Sequence, residues 1–250
     1  MKLNPYGKLC TQFYDITKPS PPDDAFKFYL EQARSADGPV LELMCGSGRF
    51  LVPLLQKGID IDGSDASADM LEACRIKCES IGLKTNLYQQ FIEETKLPRK
   101  YKLIIIPARS FILVIDQQAA KISLKKMFEH LERGGKLILE IDTPGAVGKS
   151  GVWTGRWVER ADGANIIFSA LASYDPKEKV ECAIHKYELY EDGRLTDTEL
   201  EHFATRFYEK AEFMSLLGEA GFKNIKATKP YNDTEPDETD HSIVFIAEKE

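Results

Sequence analysis

The chain has 250 residues, of which 43% are hydrophobic and 29% are charged, and its formal net charge is −7. No apolar run approaches the roughly 20 residues that cross a bilayer, so the composition is that of a globular protein without a membrane span. The negative charge argues against a nucleic-acid partner, whose phosphates need concentrated Lys and Arg, and favours a neutral or cationic small molecule.

The N-terminal segment MKLNPYGKLCTQFYD lacks the apolar stretch of a signal peptide, which predicts a cytoplasmic protein. Five Cys residues are odd in number and lack the paired spacing of a zinc site, so no metal is expected. Cys74 and Cys78 lie one helical turn apart, which indicates two reduced thiols on one helix face.

Residues 1–22 predict an irregular arm, because the Pro-Ser-Pro-Pro run at residues 19–22 cannot be helical. Asp23 and Asp24 then supply an N-cap and a favourable first-turn charge for a helix that runs to about residue 36. We expect residues 1–37 to form an arm and a helix that precede the main sheet.

From residue 38 to residue 144 the pattern alternates between strand and helix. Strands are predicted near residues 39–43, 59–64, 85–90, 102–107 and 136–142, and helices near 47–57, 67–81 and 118–132, the last ended by Gly134-Gly135. This alternation predicts a Rossmann-like α/β fold, a doubly wound and mostly parallel sheet with right-handed crossovers and helices on both faces.

The alternation of strands and helices ends after Pro144. Residues 145–207 contain β-rich runs with turns at 162–163, 175–176 and 191–193, and this short spacing predicts antiparallel hairpins. Residues 208–250 predict a helix at about 208–220 and strands at about 223–229 and 241–248, which return to the main sheet. We therefore expect one domain, in which the hairpins are an antiparallel β insertion that forms a lid over the substrate.

Residues 40–65 combine a strand, a glycine turn, a helix and a second strand, and they place Glu42, Gly46, Gly48 and Asp65 at one edge of the sheet. Ligands bind to open α/β sheets at this edge. The third glycine of the dinucleotide fingerprint is absent, and the Gly-Lys-Ser at 148–150 lacks the first glycine of a phosphate loop. A dinucleotide oxidoreductase is therefore a weaker alternative.

Two acids narrow the choice of ligand. Glu42 would repel a pyrophosphate but suits an ammonium or sulfonium group. Asp65 follows the glycine turn by about 20 residues, the offset expected for a carboxylate that receives both hydroxyls of a ribose. A ligand that combines a ribose with positive charge is S-adenosyl-L-methionine, and the segment predicts this cofactor.

These residues resemble the class I S-adenosylmethionine-dependent methyltransferases of the small-molecule type. Residues 42–48 are similar to the family's acid-Leu-Gly-Cys-Gly-Thr-Gly motif, and residues 63–71 to its G-x-D-x-S-x-x-M-L motif. Residues 131–135 resemble its L-x-P-G-G turn, and residues 213–222 its late LL-x-x-A-G-F helix. The resemblance implies a seven-stranded sheet of order 3-2-1-4-5-7-6 and methyl transfer to a small molecule, with N-methylation slightly favoured over O-methylation.

Three positions depart from the family's pattern. Met44 replaces the first glycine, so we expect the backbone there to manage without positive φ. Phe91 replaces an acid near the adenine, which leaves Gln90 and the backbone around Ile92 to read the base, and Lys102 replaces an Asp at the start of the fourth strand. These losses keep open a second hypothesis, a non-catalytic cofactor-binding or partner-binding module on the same fold.

The resemblance implies cofactor contacts along this edge, with the aromatic arm at residues 13–15 as a cap. The candidate positions are Tyr14, Glu42, Leu43, Gly46, Gly48, Asp65, Ala66, Met70, Gln90, Phe91, Ile92 and Pro107.

The candidate catalytic residues are Arg109, His185 and His202. Arg109 directly follows the fourth strand, where it could bind a carboxylate of the substrate or of the cofactor. His185 and His202 lie on predicted hairpin strands, with Tyr187 on the face of His185 and Arg206 on the face of His202. If those faces look toward the cofactor, they form a polar ceiling over the substrate.

Overall fold

The computed structural model describes residues 6–237 and 239–250. Within them, helices α1 to α6 span Lys8–Thr17, Asp23–Ser35, Leu51–Gln56, Ala68–Ser80, Gln117–His130 and Lys210–Ala220. Strands β1 to β11 span Val40–Leu43, Ile61–Asp65, Leu87–Gln89, Tyr101–Ile106, Leu131–Asp142, Trp153–Glu159, Asn165–Asp175, Val180–Glu191, Arg194–Arg206, Lys223–Thr228 and Ser242–Glu248.

The main sheet has seven strands in the order β3-β2-β1-β4-β5-β11-β10. The pairs from β3 to β5 are parallel, whereas β11 runs antiparallel to both β5 and β10. When the four insertion strands are left out of the count, this is the order 3-2-1-4-5-7-6, and the predicted Rossmann-like fold is confirmed. The residues that follow β1, β2, β4 and β5 therefore gather at one edge of the sheet.

The central strands of this sheet are covered on both faces, as a parallel sheet requires. Helices α5 and α6 pack on one face through Leu124, Met127 and Phe213, and α2 to α4 pack on the other through Tyr29 and Leu51. All five side chains are completely buried. The long apolar runs in β4 and β5 follow directly from this burial.

Strands β6 to β9 form a second, four-stranded sheet that is antiparallel throughout. The predicted antiparallel insertion is confirmed. One face of this sheet packs against α1, where the Phe13 ring lies 5.2 Å from the Phe168 ring and 5.6 Å from the Tyr187 ring. The insertion and the N-terminal helix therefore form one unit.

The expectation of an irregular arm over residues 1–22 is wrong for residues 8–17, which form α1; residues 1–5 lie outside the described part of the chain. Leu9, Cys10 and Phe13 are buried on one face of this helix. A ten-residue helix is marginal by itself in water. Its stability comes from the contacts with the insertion, which local sequence patterns do not show.

Gly134 and Gly135 do not end the preceding helix, as the sequence predicted. Helix α5 ends at His130, and β5 begins at Leu131, which pairs with Tyr101. Gly134 has a φ of +75°, and its N–H donates to the carbonyl oxygen of Lys249 at 2.6 Å. The glycine pair thus lies within an irregular start of the strand, where it also joins the chain's C-terminal segment to the sheet.

No helix of the described residues is long and apolar enough to span a membrane.

Gly48 lies so close to α4 that a Cβ atom there would be 2.6 Å from Cys74 Sγ, whereas Gly58 has open space around it. Both have φ near +80°. We expect Gly58→Ala to lower the free energy of unfolding by about 1 kcal/mol, from left-handed strain alone. Gly48→Ala should cost about 1–3 kcal/mol more, because it also overpacks the contact with α4. Urea unfolding measures both, and equal losses would contradict this close approach.

Candidate active site

The glycine turn after β1 contains three residues with positive φ: Met44 at +57°, Gly46 at +52° and Gly48 at +81°. The expectation that Met44 would manage without positive φ is wrong. The turn keeps its left-handed geometry there, at a cost of about 1–2 kcal/mol for a residue that has a Cβ. The Cys45 N–H donates to the Ser64 carbonyl at 3.1 Å, which holds the turn against the end of β2.

Asp65, the last residue of β2, connects this turn to α4. Its Oδ2 accepts the Gly46 N–H at 2.8 Å, and its Oδ1 accepts the Ser67 N–H at 2.8 Å. Burial raises the pKa of Asp65, whereas these backbone N–H groups favour the charged form and oppose the rise. Each carboxylate oxygen has two lone-pair sites, so Asp65 retains capacity for two further donors such as the hydroxyls of a ribose.

Glu42 is 2% exposed, lines the same cavity, and has an Oε2 atom with no hydrogen-bond partner among residues 6–237 and 239–250. Burial, reinforced by the charge of Asp65, raises the pKa of Glu42 well above its usual value. A buried carboxylate oxygen without a partner is unfavourable. A cationic group of a ligand would remove that cost, so Glu42 and Asp65 together fit the cofactor predicted from the sequence.

The cavity at this edge has a volume of about 700 Å³, within the range of small-molecule sites. The sequence-predicted cofactor residues that line it are Tyr14, Glu42, Leu43, Gly46, Asp65, Ala66, Met70, Gln90, Phe91, Ile92 and Pro107. Gly48 does not line the cavity and instead packs against Cys74 and Val52. It therefore has the helix-packing role that the third glycine has in the dinucleotide fingerprint.

The side chain of Gln90 is held within the protein. Its Nε2 donates to Ser64 Oγ at 3.2 Å, and its Oε1 accepts the Lys96 N–H at 3.1 Å. The cavity wall includes the apolar side chains of Ile92, Ile112 and Val114, and Glu93 and Asp116 also line the cavity. The apolar side chains suit the faces of a flat aromatic base.

Residues 40–135 match the family model of a methyltransferase domain. The match covers the glycine turn, both acids and the strands that carry them. This match, the relatives named as methyltransferases and the order of the sheet together support a class I S-adenosylmethionine-dependent methyltransferase. This assignment favours the enzyme over the non-catalytic module and over the dinucleotide oxidoreductase.

The methyltransferase is 23% identical over 246 residues to a protein of Geobacillus sp. (strain WCH70) whose name calls it a methyltransferase, with 95% of this chain and 97% of that one covered. Its fold is similar to that of the CcbJ methyltransferase from Streptomyces caelestis, with a TM-score of 0.81, 22% identity, and 100% and 99% of the two chains covered. It is also similar to the sugar N-methyltransferase KedS8 from Streptoalloteichus sp. ATCC 53650, with a TM-score of 0.78, 16% identity, and 100% and 96% covered. These likenesses show a shared fold that includes both sheets.

Helix α1 closes the methyltransferase cavity from above. Asp15 Oδ1 accepts hydrogen bonds from Ser47 Oγ at 2.5 Å and from Lys77 Nζ at 2.7 Å. The Ser67 hydroxyl donates a hydrogen bond to the Tyr6 carbonyl oxygen at 2.5 Å. These bonds attach the N-terminal segment to the glycine turn and to the start of α4. They place Tyr14 on the cavity wall, as the sequence predicted for the aromatic arm.

Arg109 lies at the rim of the cavity, directly after β4. Its φ is +62°, and that of Ala108 is +56°. Two consecutive non-glycine residues in the left-handed region are uncommon, and such strain is concentrated at functional sites. The conformation brings Arg109 Nη1 within 3.6 Å of Asp142 Oδ1, where the guanidinium can reach a ligand in the cavity.

The two histidines differ in position. His202 is exposed and lines the cavity. His185 does not line it, and packs between the ring of Phe203, stacked at 4.3 Å, and that of Phe168 at 5.1 Å. Burial lowers the pKa of His185 to about 4. The aromatic rings thus separate His185 from the cavity, although Phe203 and its strand neighbour Glu201 line it.

Sequence reasoning missed six acids that line the cavity: Glu93, Asp116, Glu140, Asp142, Glu181 and Glu201. Glu140 accepts hydrogen bonds from Tyr29 Oη at 2.7 Å and Tyr231 Oη at 3.0 Å. Glu140 and Asp142 end the strand KLILEID much as Glu42 ends β1, and this acid-terminated pattern could have indicated them. Glu201 gave no such signal, because an alternating hairpin strand shows only which residues share a face.

Glu201 is 4% exposed, and its Oε1 accepts the Gly7 N–H at 3.1 Å. Its Oε2 has no partner among the residues that the structure describes. Burial, together with the charge of Glu199, raises the pKa of Glu201 to about 7. The Glu199 carboxylate itself accepts the N–H groups of Leu9 and Cys10 at the start of α1.

We expect Asp65→Ala to weaken the binding of S-adenosylhomocysteine by about tenfold or more, since it removes charged acceptors for the ribose hydroxyls. Isothermal titration calorimetry measures this change. Asp69→Ala, on the exposed side of the first turn of α4, is the matched control and should bind as the wild type does. An unchanged affinity of Asp65→Ala would remove Asp65 from the ribose site.

We expect Glu201→Gln to stabilise the methyltransferase at alkaline pH. The native state holds the Glu201 proton up to about pH 7, against an ordinary value of 4.5, so ionisation costs the wild type stability as the pH rises through this window. The variant should be more stable by up to about 3 kcal/mol near pH 8 and equally stable near pH 4. Urea unfolding across this range measures the difference, and a pH-independent offset would contradict the burial of an ionisable Glu201.

Proposed function

We propose that this methyltransferase transfers the methyl group of S-adenosylmethionine to a nitrogen atom of a small-molecule acceptor. The observation that carries the proposal is Asp142, at the carboxyl end of β5. Its Oδ1 atom is buried without a hydrogen-bond partner among the described residues, and the Arg109 guanidinium lies 3.6 Å away, too far for a hydrogen bond. A carboxylate in this position suits the N–H groups of an amine.

The residues below the acceptor would hold the donor. Glu42 would bind the ammonium group of the methionine part, and Asp65 the two ribose hydroxyls, while Ile92 and its apolar neighbours would bind the adenine. When bound, S-adenosylmethionine supplies an electrophilic methyl group on a sulfonium. Tyr14, attached through α1 to the glycine turn, would exclude water above it.

In this reaction the protein mainly has to align the acceptor nitrogen with the methyl group and the sulfur of the donor. The acceptor nitrogen uses its lone pair to form the new N–C bond, and the C–S bond breaks with its electron pair left on a neutral sulfur. Orientation of this kind can lower the barrier by about 7–11 kcal/mol. Burial raises the pKa of Asp142, and Arg109 opposes the rise. Asp142 would bind the amine and take up the proton that it loses.

The cavity suits a small acceptor. Residues 38–144 would form the cofactor-binding core, and the insertion at 145–207 would form the lid, with Phe203 and Thr205 of β9 on the cavity wall. The solved structure of KedS8, a sugar N-methyltransferase of the same fold, supports nitrogen as the acceptor atom. We infer a metabolite substrate, in a cytoplasmic enzyme, rather than a nucleic acid.

Methyl transfer from tritium-labelled S-adenosylmethionine to matched amines and alcohols of the same carbon skeleton tests this function. We expect labelled amines, and we expect Asp142→Asn to reduce kcat/KM by about tenfold or more with unchanged affinity for S-adenosylhomocysteine. Asp197→Asn, on the exposed side of β9, is the control and should retain full activity. Labelled alcohols without labelled amines, or full activity of Asp142→Asn, would contradict the proposal.

A further inference from the structure

Four cationic side chains from distant parts of the sequence converge at the rim of the cavity. Lys18 follows α1, Arg49 precedes α3, Arg109 follows β4, and Arg156 lies on β6. The first three line the cavity. Arg156 is exposed beside them, with its guanidinium 5.1 Å from the centre of the Phe13 ring.

Three of these cations, Lys18, Arg49 and Arg156, contact neutral groups. Lys18 Nζ lies 4.9 Å from the centre of the Tyr14 ring, and Arg49 Nε donates to the Ser20 carbonyl at 2.8 Å. Among the ion pairs within 4.0 Å in residues 6–237 and 239–250, Arg109 has Asp142 at 3.6 Å, and Lys18, Arg49 and Arg156 have none. Three of the four charges therefore have no acidic partner within 4.0 Å in the part of the chain that the structure describes.

The cations act on one another. Burial, and then the guanidinium groups of Arg49, Arg109 and Arg156, lower the pKa of Lys18. The chain as a whole has 40 acidic and 33 basic residues, so acids for pairing are plentiful. Like charges gathered at a cavity rim attract a ligand of opposite charge. This local charge differs from the net charge, which alone favoured a neutral or cationic ligand.

The methyl donor, S-adenosylmethionine, would bind one of these four cations. S-adenosylmethionine has one carboxylate, on its methionine part, and Arg49 is the cation next to the glycine turn where that part would bind. Lys18, Arg109 and Arg156 lie around the acceptor side, between the arm, β4 and the insertion. Guanidinium forks bind carboxylates and phosphates with two parallel hydrogen bonds.

We propose that Lys18, Arg109 and Arg156 form a subsite for an anionic group of the acceptor, a carboxylate or a phosphate. The identity of the methyl-accepting atom as nitrogen rests on the proposed function; the anion subsite does not. With Asp142 binding the amine and the cations binding the anion, the acceptor is an amine that also has a negatively charged group.

Pyrophosphate and malonate, each titrated by calorimetry into the enzyme saturated with S-adenosylhomocysteine, test the subsite. We expect binding that weakens with salt, and Lys18→Gln and Arg156→Gln should each weaken it by about fivefold or more. Lys121→Gln, which removes an exposed cation of α5 paired with Glu219, is the control. Tighter binding of pyrophosphate supports a phosphate, and tighter binding of malonate supports a carboxylate.

Three outcomes would overturn the subsite: neither anion binds, the control variant weakens binding equally, or the two variants weaken S-adenosylhomocysteine and leave the anions unaffected. The last would assign the cations to the cofactor alone. The titration needs no methyl transfer, so it distinguishes a failure of the subsite from a failure of nitrogen methylation. With an identified amine acceptor, Lys18→Gln should raise KM for the anionic form and leave KM for its neutral amide unchanged.

Discussion

The Asp65 carboxylate, between the N–H groups of Gly46 and Ser67, is the interaction on which the site depends. It joins the end of β2 to the glycine turn after β1 and to the start of α4. Parallel pairing brings these ends to one edge, and the carboxylate then fixes the turn in its left-handed geometry. The bonds that hold the arm, from Asp15 to Ser47 and from Ser67 to Tyr6, attach to the same two segments.

Different charged side chains line different parts of the cavity, and each part would bind a different group of the ligands. Glu42, which is buried, and Asp65, which is half-buried, lie at its base with raised pKa values, where a ligand with a positive group and hydroxyls would bind them. Asp142 lies higher, next to Arg109. At the rim, Lys18, Arg49 and Arg156 have no acidic partner within 4.0 Å among the described residues. Glu42 and Asp65 would thus bind the methyl donor, Asp142 the amine of the acceptor, and the cations its anionic group.

The cofactor edge could be predicted from the sequence because it has local signals, whereas the order of the strands was implied by the resemblance to a known family. Glu42, Gly46 and Asp65 lie at fixed offsets within one βαβ unit, and the parallel pairing of β1 and β2 brings them to the same edge of the sheet. Helix α1 was missed because it depends on contacts with the insertion. The burial of His185 and the gathering of Lys18, Arg109 and Arg156 depend on how the insertion packs over the main sheet, which no short pattern encodes.

The donor would lie on Glu42 and Asp65, with its sulfur toward the acceptor position at Asp142. A crystal structure of the enzyme with S-adenosylhomocysteine tests this arrangement most directly. The ribose hydroxyls should lie within hydrogen-bond distance of Asp65, the ammonium group on Glu42, and the sulfur should be open toward Asp142. A nucleoside bound elsewhere in the cavity, with Glu42 still without a partner, would contradict the account.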